Sequence, residues 1–359
     1  MEIRTFLGSN EEIGHAQGLI DPAWVQEQFS KRKLLPHDFS HPYFRKNLEF
    51  MKREFPGYID QMSAFGVSAG FNNFDEVYFH HIYGTGGAPE GCSALGIILD
   101  EDGPAMLSTN DASGSDGPKM VLKDSYLGVF PNLEPHGFVG IMRRSDILAV
   151  RTINDRGLSL GWASGHPKFN WPDNPEYLNL YLAPYLIAQY CGTCEDVRHF
   201  LNQYRVSGLK GYTGTAVDIE GNILGIEAES ERIAFREPEH GLLLETNHWQ
   251  ESCLQEQSKA SVPEFWRSPY FNNSQNRIQY LSYFNKNFMK MTSIEELIDF
   301  SFDVEAPGRI LQSPGYNIGD WTTVYAVFMN SRDRSMRVHT YPLVKETYTE
   351  VKYPVVGLD

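Results

Sequence analysis

Apolar patterning along this chain changes period in blocks rather than element by element, and that block order restricts the fold more than any other feature. Residues 1–85 carry apolar side chains at three- and four-residue steps, as in WVQEQFSKRKLL and FRKNLEFMKREF, and predict a mainly helical segment. GTGGAPEG at 84–91 breaks the pattern with four glycines and a proline. Short strand-like runs bounded by turns follow, with a hairpin around Asp102-Gly103 and the runs KDSYLGVFPN and GFVGIMRRSDILAVRTINDRGLSLGW. Helix returns over about 176–204, strands over GTAVDIEGNILGIEAESERIAFREPEHGLLLETNHW with a tight turn at Glu220-Gly221-Asn222, and helix again over about 274–302. The tail TTVYAVFMNSRDRSMRVHTYPL reads as a last hairpin. Strands gathered into hairpins with helices between the groups predict antiparallel sheets covered by helices, a layered α+β fold. The short helix–strand alternation of a parallel doubly wound fold is missing.

With 359 residues the chain can bury one large core, and 41% hydrophobic against 21% charged residues excludes wholesale disorder. A net charge of -15 repels phosphate backbones and anionic lipid, so neither nucleic acid nor membrane is an expected partner. No stretch approaches the roughly 18 apolar residues of a membrane helix. MEIRTFLGSNEEIGHAQ lacks the basic and apolar regions of a signal peptide, and four cysteines are too few for a disulfide scaffold of this length. The expectation is a cytoplasmic protein with no metal or organic cofactor. A homo-oligomer is left open.

Several motifs invite a function and are weak. Pro89 stands where G-x-G-x-x-G needs its third glycine, and no G-K-[ST] follows. His80-His81 has no ligand partner at useful spacing. Cys191-Gly-Thr-Cys194 has redox spacing, yet no second CxxC completes a zinc site. It reads better as one helix ending near Gly192 and another starting on Thr193 as its cap, with Glu195 and Asp196 in the first turn. Asn272-Asn273-Ser274 is a glycosylation acceptor only on a secretory route.

Cys92 is different, because it follows Gly91 where the helical segment gives way to the first strand. Thr109-Asn110-Asp111 closes the first hairpin, and Thr246-Asn247-His248 follows the strand GLLLET. Asn154-Asp-Arg-Gly157-Leu158 is a turn, and Ile226-Glu227 lies in the strand before the asparagine. In this order and spacing the chain, from about residue 75 to its end, resembles the acyl-CoA:6-aminopenicillanic acid acyltransferase family of N-terminal nucleophile (Ntn) hydrolases, relatives of penicillin V acylase and conjugated bile acid hydrolase. Ser93 stands where the family commonly has threonine. The family's N-x-D is replaced by adjacent Asn110 and Asp111. Asp111 lies at the expected distance from the cysteine, but side chains alternate along a strand, so either could face inward.

The resemblance implies a four-layer αββα sandwich in one domain, residues 1–91 being a helical propeptide or small chain and 92–359 the catalytic chain. It implies self-cleavage between Gly91 and Cys92 and an acyl-thioester on Cys92. Asp111 would hold the freed amine and Asn247 would donate to the oxyanion. The stretch from Gly161 to Ser164, read as a turn, would add a backbone N–H. Such chemistry is self-consistent, since an α-amine of pKa about 7.7–8.0 can take the proton of a thiol of pKa about 8.5 without a histidine. The substrate would be a small-molecule linear amide or acyl donor, its acyl group resolved by water or by an amine. Phe169, Trp171 and Tyr177 are candidate pocket aromatics. The alternatives are a catalytically silent Ntn-fold binding protein and a thiol redox protein using Cys191 and Cys194.

Overall fold

A computed structural model of the chain describes residues 1–31, 42–83, 91–167, 174–179, 182–207, 210–229, 232–287, 290–303, 310–312 and 321–353. Gly84–Glu90, Phe169 and Trp171 fall outside the described residues.

The chain begins with a short strand, β1 (Ile3–Thr5), that the helical patterning does not anticipate. Five helices follow: α1 (Asn10–Gly18), α2 (Pro22–Lys31), α3 (Pro42–Glu54), α4 (Pro56–Ser68) and α5 (Phe74–Tyr83). Three of them open on proline, whose fixed φ suits a first helical residue and whose missing N–H costs nothing there. Ser9 caps α1 in a reciprocal box with Glu12. In α3, Phe44, Leu48 and Met51 repeat at helical spacing, and all three are buried.

Next come the hairpin β2 (Gly91–Leu99) and β3 (Gly103–Ser113), helix α6 (Gly117–Asp124), and strands β4 (Ser125–Phe130), β5 (Phe138–Arg143), β6 (Ala149–Asn154) and β7 (Ser159–Pro167). The turn at Asp102-Gly103 forms as expected, with Gly103 at φ 76. Asn154 ties its own turn, its Oδ1 accepting the N–H groups of Arg156 and Leu158.

The expected helix over 176–204 is broken. Leu178–Asn179 forms β8, and α7 (Ala183–Tyr190) starts only where Pro184 sets its first turn. α8 (Cys194–Gln203) follows on a Thr193–Asp196 capping box, as its sequence indicates. Cys191 and Cys194 are buried in the core beside it, and burial pushes both thiols far up. Strands β9 (Val206–Ser207), β10 (Lys210–Val217), β11 (Ile223–Glu229), β12 (Arg232–Arg236) and β13 (Leu242–Glu245) come next. After them are α9 (Ser252–Ser261), which patterning misses, α10 (Pro269–Asn287) and α11 (Ile294–Phe302). The expected helix over 274–302 is thus two helices, the second capped by Ser293. β14 (Trp321–Asn330) and β15 (Ser335–Thr340) make the last hairpin, and β16 (Thr349–Lys352) adds an edge.

Besides the small parallel pair β8-β9, one sheet runs β1-β4-β5-β6-β7-β10-β11-β12 and a second β13-β2-β3-β14-β15-β16. Apart from the parallel β1–β4 pair at one edge, both are antiparallel. Strand alternation sorts the layers. Leu127 and Val129 of β4 pack between the sheets with Val324 and Val327, whereas Tyr126 and Phe130 face the helices α1–α5, α7 and α8. Leu95, Ile97 and Leu107 turn outward against Leu281, Leu297 and Ile298 of α10 and α11. The result is an αββα sandwich in which the helices before Gly91 share one core with the eight-stranded sheet.

That sharing depends on close helix packing. A Cβ on Gly14 would lie 2.0 Å from the Gln61 carbonyl oxygen, and one on Gly18 2.4 Å from that of Phe65. Backbone cannot yield as a side-chain tip can. Gly14→Val should therefore push α1 off α4 and cost roughly 1–3 kcal/mol or more, read as a lower thermal midpoint. An unchanged midpoint would refute this packing.

Candidate active site

β2 pairs with β13 so that Ala94 lies opposite Glu245, and continuing that register past β13 brings Asn247 to Cys92. The contact is made: the Cys92 N–H donates to Asn247 Oδ1 at 3.0 Å. On the other side β2 pairs with β3, placing Cys92 opposite Asn110 and Gly91 opposite Asp111. Directly opposed residues share a face, and the two candidates, Asn110 and Asp111, separate accordingly. Asn110 lies on the thiol's side, its Nδ2 3.9 Å from Cys92 Sγ. Asp111 lies on the side of Ser93 and Thr109, toward α10. The site therefore wraps around the start of β2 instead of occupying one face of it.

Asp111 is fully buried. Its Oδ1 accepts from Thr323 Oγ1 at 2.6 Å, while Oδ2 has no hydrogen-bond partner among the described residues. That oxygen points at the first residue of β2: a Cβ built on Gly91 would be 3.2 Å from it and 3.3 Å from Trp321 Cε3. Burial pushes the carboxyl up to about 6, against the pull of Arg277 and the Thr323 bond.

Ser164 also reaches the site, in a different way from the expected one. Gly161 to Ser164 form part of β7, paired with β10 at Thr215 and Tyr212, and do not make a turn. The group that Ser164 offers is its carbonyl, which accepts from Asn247 Nδ2 at 2.7 Å. Tyr177 is buried, and its carbonyl accepts from Asn47 Nδ2 of α3 at 2.9 Å.

α10 supplies residues that sequence reading passed over. Arg277, buried, donates through Nη1 to Cys92 O at 2.5 Å and to Ser93 Oγ at 2.7 Å, and through Nη2 to Asn247 Oδ1 at 2.7 Å. Asn273 Oδ1 accepts its Nε at 3.1 Å. One turn earlier Ser274 Oγ accepts the Asn247 N–H at 2.7 Å and lies 2.8 Å from His248 Nδ1. Burial, with Arg277 and Arg236 nearby, pushes His248 down to about 3, so its imidazole is neutral and too weak a base to activate a thiol. The signal for α10 was its spacing. Ser274, Arg277 and Leu281 fall on one stripe, so a serine and an arginine occupy positions that periodicity reserves for core. Asn273-Ser274, the tail of the glycosylation-like triplet, is buried.

Below β3, Arg151 of β6 donates to Ser108 Oγ at 3.3 Å, Tyr325 OH at 3.3 Å, Trp162 O at 3.0 Å and Thr109 O, tying the two sheets together beneath the site. Among the described residues no group of three His, Cys, Asp or Glu could hold a metal ion, and no helix is long and apolar enough to cross a membrane.

No known family's sequence profile matches the chain, and no curated protein matches it. Solved structures do. A mutant conjugated bile acid hydrolase from Clostridium perfringens is similar over 72% of this chain and 92% of its own, with a TM-score of 0.52 at 11% identity. Penicillin V acylase from Agrobacterium tumefaciens is similar over 73% of this chain and 86% of its own, with a TM-score of 0.52 at 12% identity. At such identities the likeness speaks to architecture. The chain has the four-layer αββα fold of an Ntn hydrolase.

Proposed function

We propose that the protein is a self-processing cysteine amidohydrolase or acyltransferase that acts on linear amides through a thioester on Cys92. The observation that carries the reading is the grip on Cys92. Its N–H is held by Asn247, its carbonyl by Arg277, its thiol lies beside Asn110, and an unpaired carboxylate oxygen waits beside Gly91. A cysteine that is only core packing needs none of these.

In the first step Cys92 Sγ attacks the Gly91 carbonyl carbon. The C–N bond breaks, its nitrogen takes a proton, and water then hydrolyses the Gly91 thioester to a carboxylate and a free thiol. The new α-amine is the base for later turnovers. Asp111 Oδ2, the orphaned oxygen, would pair with this amine. The Asn247 amide would supply an N–H to the tetrahedral oxyanion, a contact worth about 3–4 kcal/mol at such sites. The substrate's amine leaves, and water or another amine takes the acyl group. The two proteins that share this fold are named as a hydrolase and an acylase, which favours this reading over a silent binding protein. Reaction with a thiol-directed acylating probe, followed by peptide mapping, tests it: label should concentrate on Cys92. Equal labelling of the exposed Cys253 and Cys92 would favour the silent protein.

The unpaired carboxylate also makes a stability prediction for uncut chain. Asp111 rises from 3.8 to about 6 on folding, so its contribution is present below pH 3.8 and lost as pH climbs through about 6, a loss of about 3 kcal/mol. Uncut protein should therefore lose stability between about pH 4 and about pH 7, and Asp111→Asn should remove that portion. Denaturant melts at both pH values check it, and equal pH slopes in the two proteins would contradict the assignment.

A further inference from the structure

Glu227 of β11 and Glu245 of β13 face each other from the two sheets, both fully buried and neither in the hydrogen bonds around Cys92. Gly225 makes their meeting feasible, since a Cβ there would lie 2.8 Å from Glu245 Oε1. Glu227 accepts the N–H groups of Gln250 at 2.7 Å and Glu251 at 3.1 Å. Glu245 accepts from Arg236 Nη1 at 2.7 Å and Gln250 Nε2 at 3.1 Å, and that Nε2 also donates to Leu244 O at 2.9 Å. Together these bonds hold both ends of residues 246–251, the segment that carries Asn247.

We propose that Glu227 and Glu245 are positioning residues for Asn247, and that a proton held on one of the two, balanced by Arg236, sets the alkaline limit of the site. This rests on the reading of Asn247 as part of the active site. With the proton in place the cluster holds one negative charge against one guanidinium. Once the proton leaves, two carboxylates share that cation in a water-poor gap between the sheets. Glu245 lies two residues before Asn247, so repulsion across the gap acts directly on the segment that must stay in register with Cys92.

The surroundings leave the balance to these three groups. Glu251, half-buried after β13, adds negative charge, and His248 is neutral. α10 presents Ile278 and Leu281. Glu237, which pairs with Arg198 at 2.6 Å, lies with Glu239 and His240 at the exposed rim of a cleft of about 120 Å³ whose inner wall includes Arg236, Leu244 and Gln250. Burial and repulsion from Glu227 push Glu245 well above the usual range, and burial pushes Glu227 up to about 7 against the pull of two backbone N–H groups and Arg236. Both values are raised on folding, so the order they confer is present at low pH and lost as pH rises through about 7.

Hydrogen exchange of residues 246–251, corrected for intrinsic rate, and the pH profile of amide hydrolysis should be measured together. Wild-type protein should lose protection of this segment between about pH 6 and about pH 9, in step with an alkaline fall in kcat. Glu227→Gln should keep the segment protected and move the fall upward, and Arg236→Gln, which removes the cation that draws both carboxyls down, should also move it upward, each by about 1–3 pH units. Should Glu227→Gln fail to fold, Glu245→Gln relieves the same repulsion and should shift the fall the same way. Constant wild-type protection across this range, or variants that lose activity equally at all pH values with an unmoved fall, overturn the proposal. Protection that follows these shifts without any amide hydrolysis would sink the reading of Cys92 and leave the positioning pair standing.

Discussion

Cys92→Ala should leave a single chain of 40.9 kDa with no amide hydrolysis, where the wild type matures into chains of about 10 and about 30 kDa divided between Gly91 and Cys92. No other substitution should abolish both events, because one sulfur performs both attacks. Intramolecular attack needs no protease: the thiol and the preceding carbonyl are neighbours by covalent structure, and their effective concentration is correspondingly high. Cys92→Ser should still cut, far more slowly, since a hydroxyl ionises much less readily than a thiol. The two mature chains should also co-elute. Buried Gln17 donates to Tyr126 OH at 3.1 Å, Gln61 donates to Gln17 at 2.6 Å, and Tyr185 donates to Gln61 at 2.7 Å, so the first chain stays bonded and packed to the second. Intact-mass measurement after prolonged incubation decides the matter. An uncut chain that still hydrolyses amides would defeat the N-terminal mechanism, because its base would not exist.

Arg277→Met should have the next largest effect. It removes donors from Cys92 O, Ser93 Oγ, Asn247 Oδ1 and Asn273 Oδ1 at once, all of them buried. It also removes the cation that does most to hold Asp111 down against its burial, so that carboxyl should climb above about 6. The expected loss in kcat is on the order of 10²–10³-fold, the scale of removing one precise electrostatic contact in an acyl-transfer site. Arg277→Lys separates position from charge. It keeps a cation near Asp111 but cannot fork between Cys92 and Asn247, so stability should recover more than kcat does. Steady-state kinetics beside thermal melts give the comparison. Full recovery of kcat in the lysine variant would mean that charge alone matters and that the fork has no positioning role.

Local chemistry settled much of this protein from its sequence. The period changes placed most strands, because a half-buried strand must alternate and a helix must not. Asp102-Gly103 and Glu220-Gly221-Asn222 announced their hairpins through glycines at positive φ. Thr193 with Asp196 announced the start of α8, since a cap is chosen by the residue beside it. Cys92 stood out for a similarly local reason, a nucleophile behind a glycine at the head of a strand.

Tertiary structure decided what depends on partners far away in sequence. Whether Asn110 or Asp111 faces the thiol follows from the register of β3 against β2, and the answer assigns the two residues to opposite sides of the strand. β8 and β9 are two residues each and form only because they meet, so no periodicity could reveal them. Ser164 enters through a carbonyl fixed by the β7–β10 pairing, and backbone atoms carry no sequence signal of their own. Arg277 is 185 residues from Cys92, and an arginine in a helical stripe looks like a solvated side chain until the sheet beneath it supplies buried acceptors. Burial likewise lifts Asp111 and Glu227 above ordinary carboxylates, since desolvation is a property of what surrounds a group and not of the group itself.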